Sequence, residues 1–186
     1  MLQINIESRY SIAEKISTSN SLTGRFCISI LSPGDPEILG IRTHFTEVLK
    51  LRFHDIEAKN DLPKGSRPVL FSRRHLRRLI RFYHRIKRLG AETLTIHCHA
   101  GVHRSTAVAL ILLYLDTGDP HLAKSMLISA RAIPLPNRRV IRVFDQAHGT
   151  NLMEIVDELY DRFRAYVHDE IQINRDDYLE ELEIIE

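Results

Sequence analysis

The chain has only two cysteines, Cys27 and Cys98, among its 186 residues. Two are too few for the disulfide framework that stabilises many small secreted domains. A reducing compartment, and with it the cytoplasm, is therefore the expected setting. Cys27 lies in an apolar segment, where a cysteine usually packs as a small hydrophobic residue. The alternative role for Cys27 is that of a resolving thiol for an oxidised Cys98.

Long hydrophobic runs are missing as well. The longest run, residues 107–115, is too short to span a membrane. The first residues lack the basic start and the apolar stretch of a signal peptide. The net charge of +2 is too small to indicate a nucleic-acid partner by itself. We expect one globular domain with a sizeable core, without membrane association and with no nucleic-acid partner.

The residues suited to chemistry are concentrated in the segment 97–106, His-Cys-His-Ala-Gly-Val-His-Arg-Ser-Thr. The short segment before it, 93–96, is rich in β-branched residues and predicts a buried strand. The apolar run 107–115 after it predicts a buried helix. The ten residues are therefore expected to form a strand-to-helix loop, whose backbone amides offer a site to a phosphate-like anion.

The side chains of this loop suit nucleophilic attack on phosphorus. A helix N-terminus, loop amides and Arg104 all favour the thiolate form of Cys98. The planar guanidinium of Arg104 can hold two phosphate oxygens. Gly101 lets the backbone curl without a Cβ in the way. The hydroxyl of Ser105 can donate a hydrogen bond to the sulfur of Cys98.

The pattern His-Cys-x-x-Gly-x-x-Arg-Ser at 97–105 resembles the signature loop of the cysteine-dependent protein tyrosine phosphatases, and above all that of the dual-specificity branch. Arg131 with Pro136 and Asn137 resembles the Arg…Pro-Asn segment that follows this loop in that branch. Together with the segment 51–56 and residues 136–139, the loop is similar to small bacterial predicted protein tyrosine phosphatases. The resemblance spans about 25–147. It includes no phosphotyrosine-recognition loop like that of the larger tyrosine-only phosphatases.

The resemblance implies hydrolysis of phosphate monoesters, on phosphotyrosine or dual-specificity protein substrates, through a phosphocysteine intermediate. It implies Cys98 as nucleophile, Arg104 as phosphate clamp and Ser105 as an aid to release of the sulfur. It also implies that the loop binds the substrate through His99, Ala100, Gly101, Val102 and His103. No cofactor and no metal are implied.

Such chemistry also needs a proton donor for the leaving group. In the dual-specificity branch an Asp supplies it from a loop at a strand end, some tens of residues before the Cys. Asp55 matches that position. Asp61, further along the polar stretch 57–68 that is expected to act as a lid, is the rival, and Asp35 is the third candidate.

Several alternatives stay open. His99 and His103 either add positive charge for multiply charged substrates such as phosphoinositides or serve packing. A zinc site formed by these two histidines and Cys98 is a further alternative. It is disfavoured because a strand-to-helix loop directs its groups inward at a single anion. A phosphate-binding module without catalysis would keep the same loop. The basic helix predicted at 72–88 indicates either an anionic partner, such as RNA or a nucleotide, or a solvated face paired with acidic residues.

The order of elements predicts an α/β fold: a single domain with a mostly parallel central sheet flanked by helices, and with the signature Cys loop between a strand and a helix. Strands are predicted at 3–6, 25–31, 45–53 and 93–96. Helices are predicted at 12–16, 72–88, 107–115, 121–130, 138–147 and 151–168. Asn137 is expected to cap the helix that follows it.

Residues 1–168 are expected to form the catalytic domain, followed by an acidic tail at 169–186. The tail mixes carboxylates with isoleucines and leucines and has Arg175 as its only basic residue. We expect it to lie on the basic helix. Solvation of the tail and a dimer contact are the alternatives, and the oligomeric state and the physiological substrate stay open.

Overall fold

The computed structural model describes residues 1–18, 25–57 and 68–166. The strands are β1 (Gln3–Ser8), β2 (Phe26–Leu31), β3 (Glu47–Arg52) and β4 (Thr93–Cys98). The helices are α1 (Arg9–Ser17), α2 (Ile41–His44), α3 (Arg73–Arg88), α4 (Arg104–Thr117), α5 (Pro120–Ala130), α6 (Arg138–His148) and α7 (Leu152–Arg162). Most of the predicted lid, with Asp61, and the acidic tail lie outside the described residues.

The four strands form one parallel sheet in the order β1-β4-β2-β3. Strand β4 is therefore paired on both sides, and its last residue, Cys98, lies beside Ser8 of β1. Because all strands run in the same direction, their carboxyl ends meet at one edge, where open α/β sheets bind ligands. The predicted loop leaves the sheet at the middle of this edge.

Helices cover both faces of the sheet, as predicted. Alternate strand residues point to opposite faces, so that Ile28 packs into the core under α3–α7 whereas its neighbour Cys27 packs with residues of α1 and α2. Helix α4 is apolar on all sides because it is buried between the sheet and the helices α5 and α6. In the described part of the chain, no helix is long and apolar enough to cross a membrane.

The main departure from the predicted elements is at 41–46. A strand was expected to begin at residue 45, but α2 occupies residues 41–44 and β3 begins at Glu47. Gly40 begins the turn with a φ of 78°, a left-handed conformation that favours glycine. Phe45 is buried in the hydrophobic cluster under α1 and α2. Its side chain therefore packs in that cluster, and the residue is not part of the strand.

The cap predicted at Asn137 is present, because its side chain accepts a hydrogen bond from Val140 N at 3.2 Å. Ser8 caps α1 in the same way and accepts a hydrogen bond from Ser11 N. Helix α4 begins at Arg104, three residues before its apolar run, and α7 ends at Arg162, earlier than predicted. The earlier start of α4 matters for the site, because it places Arg104 and Ser105 in the first helical turn.

Candidate active site

The backbone between β4 and α4 is held from outside by hydrogen bonds to its carbonyl groups. Arg9 N donates to His99 O at 2.8 Å, and the Arg131 guanidinium donates to Ala100 O at 3.3 Å. Residues before α6 continue the series: Leu135 N donates to Val102 O and Asn137 N to His103 O, both at 3.2 Å. In a trans peptide the C=O and the following N–H point in opposite directions. The amides that follow these carbonyls therefore point to the inside of the loop.

The thiol of Cys98 lies at the base of this ring of amides. Its Sγ accepts a hydrogen bond from Gly101 N at 3.2 Å and lies 3.2 Å from Ser105 Oγ. Cys98 is 1% exposed and Ser105 is fully buried. Both contacts stabilise a negative charge on the sulfur.

Gly101 is required at its position for two reasons. Its φ is +75°, and a Cβ there would lie 2.9 Å from the backbone C and O of Glu7. Backbone atoms of a paired strand cannot move aside as a flexible side chain can. The loop can therefore pass over the end of β1 only with glycine at this position.

We expect Gly101→Ala to lose phosphate binding and turnover, because the loop must shift away from Glu7. Gly118→Ala is the matched control, since Gly118 has a φ of +71° but nothing within 4 Å of its Cβ position. The control should cost about 1–2 kcal/mol of stability from the left-handed backbone alone, with activity retained. Denaturant unfolding and phosphate-ester hydrolysis, measured on both variants, check this expectation; equal activity of the two would contradict it.

Arg104 is buried and held along one edge of its guanidinium. Its Nη1 donates to Phe53 O at 3.0 Å and to Ser32 Oγ at 3.1 Å. Its Nε is buried and has no hydrogen-bond partner among the described residues. Asp55 Oδ2 forms an ion pair with this nitrogen at 3.4 Å but no hydrogen bond, so an anion in the loop would supply the acceptor that the nitrogen lacks.

Asp55 follows β3 and faces the same loop. Its Oδ1 accepts a hydrogen bond from Asn137 Nδ2 at 3.0 Å, and its Oδ2 lies 3.4 Å from both His103 Nδ1 and Arg104 Nε. Burial favours the neutral carboxyl group, but the hydrogen bonds and charges of His103, the charge of Arg104 and the hydrogen bond of Asn137 outweigh it. They hold the pKa of Asp55 below its usual value. Without a ligand, this carboxyl group is ionised at neutral pH.

The segment that carries Asp55 is fixed on both sides. His54 N donates to Val69 O at 2.8 Å, and Val69 N donates to His54 Nδ1 at 3.0 Å. Further on, Glu57 accepts a hydrogen bond from Arg138 N at 2.8 Å. The structure thus brings Asp55 to the loop with Cys98, Arg104 and Ser105, and its role as the acid stays a prediction.

Asp35, the third candidate for the acid, has a different position. Its carboxylate accepts a hydrogen bond from Ser32 N at 2.8 Å and lies 3.9 Å from Arg9 Nη1. It shapes the turn that carries Ser32, whose hydroxyl holds Arg104. Asp61 lies outside the described residues, so its role as a rival acid stays a prediction.

The two loop histidines differ. His103 lies beside Asp55, whereas His99 is exposed and packs edge-on against Tyr10, with ring centroids 5.6 Å apart. The preceding His97 is fully buried, and its nitrogens make no hydrogen bond within the described chain. Burial lowers the pKa of His97 to about 4, with the charges of Arg9 and Arg104 adding to the shift. It is therefore neutral at pH 7.

Three functional contacts were missed from the sequence. They are the hydroxyl of Ser32, the carbonyl of Phe53 and the side-chain amide of Asn137, which hold Arg104 and Asp55 in place. Only Asn137 carried a signal, as a predicted helix cap in the Arg…Pro-Asn segment. Within residues 1–18, 25–57 and 68–166, no group of three or more His, Cys, Asp and Glu side chains is arranged to hold a metal ion.

The chain was compared with family models, curated proteins and solved structures. No family model matches the chain, and no curated protein matches it. Among solved structures it is similar to human DUSP28, with 17% identity, a TM-score of 0.56 and coverage of 86% of this chain and 95% of that one. It is also similar to the human tyrosine phosphatase-like serine/threonine/tyrosine-interacting protein, with 18% identity, a TM-score of 0.54 and coverage of 79% and 91%.

A third similar structure is the PTP-2 phosphatase of Cydia pomonella, with 17% identity, a TM-score of 0.52 and coverage of 76% of this chain and 83% of that one. The chain therefore has the fold of the dual-specificity phosphatases, as the sequence predicted. The names of these neighbours include both phosphatases and an interacting protein.

Proposed function

We propose that this protein is a cysteine-dependent phosphatase that hydrolyses phosphate monoesters, with phosphotyrosine or dual-specificity protein substrates, through a phosphocysteine intermediate. One observation carries the proposal: Cys98 Sγ lies under inward-facing amides, 3.2 Å from both Gly101 N and Ser105 Oγ, in a loop that ends at Arg104, whose buried Nε has no hydrogen-bond partner among the described residues. The fold shared with the dual-specificity phosphatases supports it.

In the first step, the Cys98 thiolate attacks phosphorus while the loop amides and Arg104 hold the nonbridging oxygens. The S–P bond forms as the P–O bond to the leaving group breaks. Asp55 in its acid form donates a proton to the departing oxygen. The fixed donors stabilise charge that develops on the phosphoryl group without having to reorganise.

In the second step, water attacks the phosphorus of phosphocysteine and the S–P bond breaks. The Asp55 carboxylate, which gave up its proton in the first step, takes one from this water. The departing sulfur becomes a thiolate again, and the Ser105 hydroxyl and Gly101 N–H donate hydrogen bonds to it. Inorganic phosphate then leaves the loop.

The ionised state of Asp55 without a ligand fits this cycle. A dianionic substrate bound to Arg104 neutralises the cation that lowers the pKa of Asp55, and it places negative charge near the carboxylate. Both changes favour the protonated form. Asp55 would thus become an acid when substrate arrives and would be a base once the leaving group has gone.

Hydrolysis of para-nitrophenyl phosphate by the full chain tests the proposal. We expect nitrophenol release that persists in the presence of a chelator, because Arg104 and the amides already supply the positive charge. A strict metal requirement would contradict this mechanism. Binding of tungstate to the loop without any release would overturn the enzymatic role.

The second candidate function is a phosphate-binding module without catalysis. The lowered pKa of Asp55 favours it, because an ion pair between Asp55 and Arg104 is a stable resting arrangement that donates no proton. The same assay separates the two functions. Phosphatase action on phosphoinositides or on RNA and nucleotide phosphates would use the same loop, and competition among these substrates would distinguish it from action on phosphoproteins.

We further propose that residues 1–168 form the catalytic domain and that the protein works in the cytoplasm. A thiolate nucleophile needs a reducing compartment, because an oxidised sulfur cannot attack phosphorus. Both cysteines are free thiols. Cys27 is fully buried, and burial raises its pKa far above the usual value, which supports a packing role for it.

We expect Arg104→Ala to weaken both tungstate binding and turnover. Removal of one fixed donor to a transition-state oxygen costs about 10²–10³ in rate, and Asp55 would lose its cationic partner as well. Titration with tungstate and steady-state kinetics check both effects. Arg131→Ala is the control, since among the described residues its guanidinium donates to the outward-facing carbonyl of Ala100 and to no other group; the proposal fails if the two variants lose activity equally.

We expect Ser105→Ala to slow the second step more than the first, because its hydroxyl assists departure of the Cys98 sulfur. Phosphocysteine should then accumulate, and rapid mixing should give a burst of nitrophenol followed by a slower steady rate. Thr106→Ser, which keeps a hydroxyl bonded to the Val102 and His103 carbonyls, should show no change in the burst. An unaltered burst in Ser105→Ala would refute this role.

A further inference from the structure

The basic face of α3 is only partly neutralised by neighbouring groups. Arg85 pairs with Glu47 and Lys87 with Asp116, each at 2.6 Å. These pairs agree with the interpretation of α3 as a solvated face with acidic partners. A stripe of three further arginines, Arg73, Arg77 and Arg81, is exposed and has no ion pair or hydrogen-bond partner within the part of the chain that the structure describes.

The three arginines border a groove between α3 and the end of α6. They are spaced four residues apart and so lie on one side of α3 over about 12 Å. The groove has a volume of about 670 Å³, and its apolar surface comes from Leu76, Ile80 and Ala147. It therefore offers an apolar floor beside a row of unpaired cations, and it lies apart from the loop that holds Cys98.

The composition of residues 169–186 complements this groove. The segment contains eight carboxylates and one arginine, so residues 1–168 carry a net charge of +9 against −7 for the segment. Between the carboxylates lie six isoleucines and leucines, which are Ile171, Ile173, Leu179, Leu182, Ile184 and Ile185. Acidic groups match the arginine stripe, and the aliphatic side chains match the floor.

The segment is also long enough to reach the groove. Helix α7 runs back along α6, since Asp157 pairs with Arg138 at the start of α6, and it ends at Arg162. The groove lies at the other end of α6, which is 11 residues and so about 16 Å long. Eighteen residues of extended chain span up to about 60 Å. Covalent attachment moreover gives the segment an effective concentration near the millimolar range.

We propose that residues 169–186 dock in the groove between α3 and α6 of their own chain, with carboxylates on Arg73, Arg77 and Arg81 and aliphatic side chains on Leu76 and Ile80. This occupant is favoured over an external anionic partner, because it supplies both the charge and the apolar surface and is always present. The contact is sensitive to salt, since its ion pairs lie at the protein surface.

Zero-length carbodiimide coupling in the full chain tests the proposal. Arg77→Lys introduces an amine into the groove, and Arg88→Lys introduces one at an exposed position of α3 outside it. We expect Arg77→Lys to give a monomer in which position 77 is joined to a carboxylate of 169–186, a product lost at high salt. Arg88→Lys should give little of it. Equal coupling at both positions would overturn the proposal. Coupling at position 77 that joins two chains, with none within a single chain, would overturn it as well.

Hydrogen exchange of the full chain provides the second measurement. Glu180, Glu181 and Glu183 are replaced together by Gln, which removes charge and keeps side-chain size. We expect faster exchange of 169–186 amides in this variant than in the original chain. Unchanged exchange would contradict docking, whether or not the variant still hydrolyses phosphate esters, so this result is separate from a failure of the proposed enzymatic function.

Discussion

Cys98→Ser is expected to abolish turnover of para-nitrophenyl phosphate while tungstate still binds. A serine hydroxyl is not ionised at neutral pH, and the two groups that contact this position, Gly101 N and Ser105 Oγ, do not act as a base at that pH. Loss of a covalent nucleophile lowers rates by a factor on the order of 10⁴ or more. Binding should persist, because the loop amides and Arg104 are unaffected by exchange of sulfur for oxygen.

Cys27→Ala is the matched control, since Cys27 is the only other cysteine in the chain. It packs against α1 and α2 on the opposite face of the sheet, so the variant should lose stability and keep its turnover. Thermal unfolding with and without tungstate measures binding, because a ligand at 100 times its Kd adds about 2.7 kcal/mol to the free energy of unfolding. Turnover by Cys98→Ser near that of the original chain would rule out the mechanism.

Asp55→Asn is expected to slow hydrolysis of aryl phosphates with poor leaving groups by about 10²–10⁴, the usual contribution of a general acid. Esters whose leaving group departs without a proton should be affected much less. The asparagine keeps the shape of the side chain and one acceptor for Asn137, so the loss reports on the proton and not on packing. Rates measured across a leaving-group series give this dependence as a slope.

The pH dependence gives a second check on Asp55. Its pKa is held low in the ligand-free protein by His103, Arg104 and Asn137, and bound substrate should raise it. The profile of kcat/KM reports the free protein and that of kcat the complex. The high-pH descending limb of the kcat/KM profile should therefore lie at lower pH than that of the kcat profile. Asp55→Asn should remove this limb from the kcat profile.

Asp35→Asn and Asp61→Asn are the controls for these two measurements. Asp35 shapes the turn of Ser32, so Asp35→Asn should not change the dependence on the leaving group. Asp61→Asn should be mild if Asp55 is the acid. Exchanged behaviour of the Asp55 and Asp61 variants would assign the acid to the predicted lid and a structural role to Asp55.

The central part of the fold was predictable because its signals are local. The β-branched segment before Cys98 and the apolar run after Ser105 identify a strand and a helix without reference to the rest of the chain. The loop between them follows from its residue types. Asp55 was indicated by its resemblance to the acid of the dual-specificity branch, because it follows a predicted strand and precedes a polar stretch, and it does lie at the sheet edge beside the loop.

The contacts that tune the site were not predictable, because they join distant parts of the chain. Ser32 and Phe53 hold Arg104 from turns that follow other strands, and nothing in their neighbouring residues indicates this. Asn137 combines a cap, which is a local pattern, with a hydrogen bond to Asp55 that only the folded chain creates. The two loop histidines likewise look equivalent in sequence, yet only His103 reaches Asp55.

The helix α2 escaped prediction for a related reason. Its four residues are too few for a helical period to be visible, and the apolar residue that follows it suits a strand as well as a turn. Phe45 is buried because its side chain packs into the hydrophobic cluster under α1 and α2. Tertiary packing, and not local preference, decides the structure of this segment.

Acid-quenched mass spectrometry of the Ser105→Ala variant during turnover of an aryl phosphate tests the central claim most directly. The claim predicts one phosphoryl group on the peptide that contains Cys98, present within the burst, decaying as substrate is consumed and absent from Cys98→Ser. No covalent adduct during active turnover, or an adduct on His99 or His103 instead, would contradict the account.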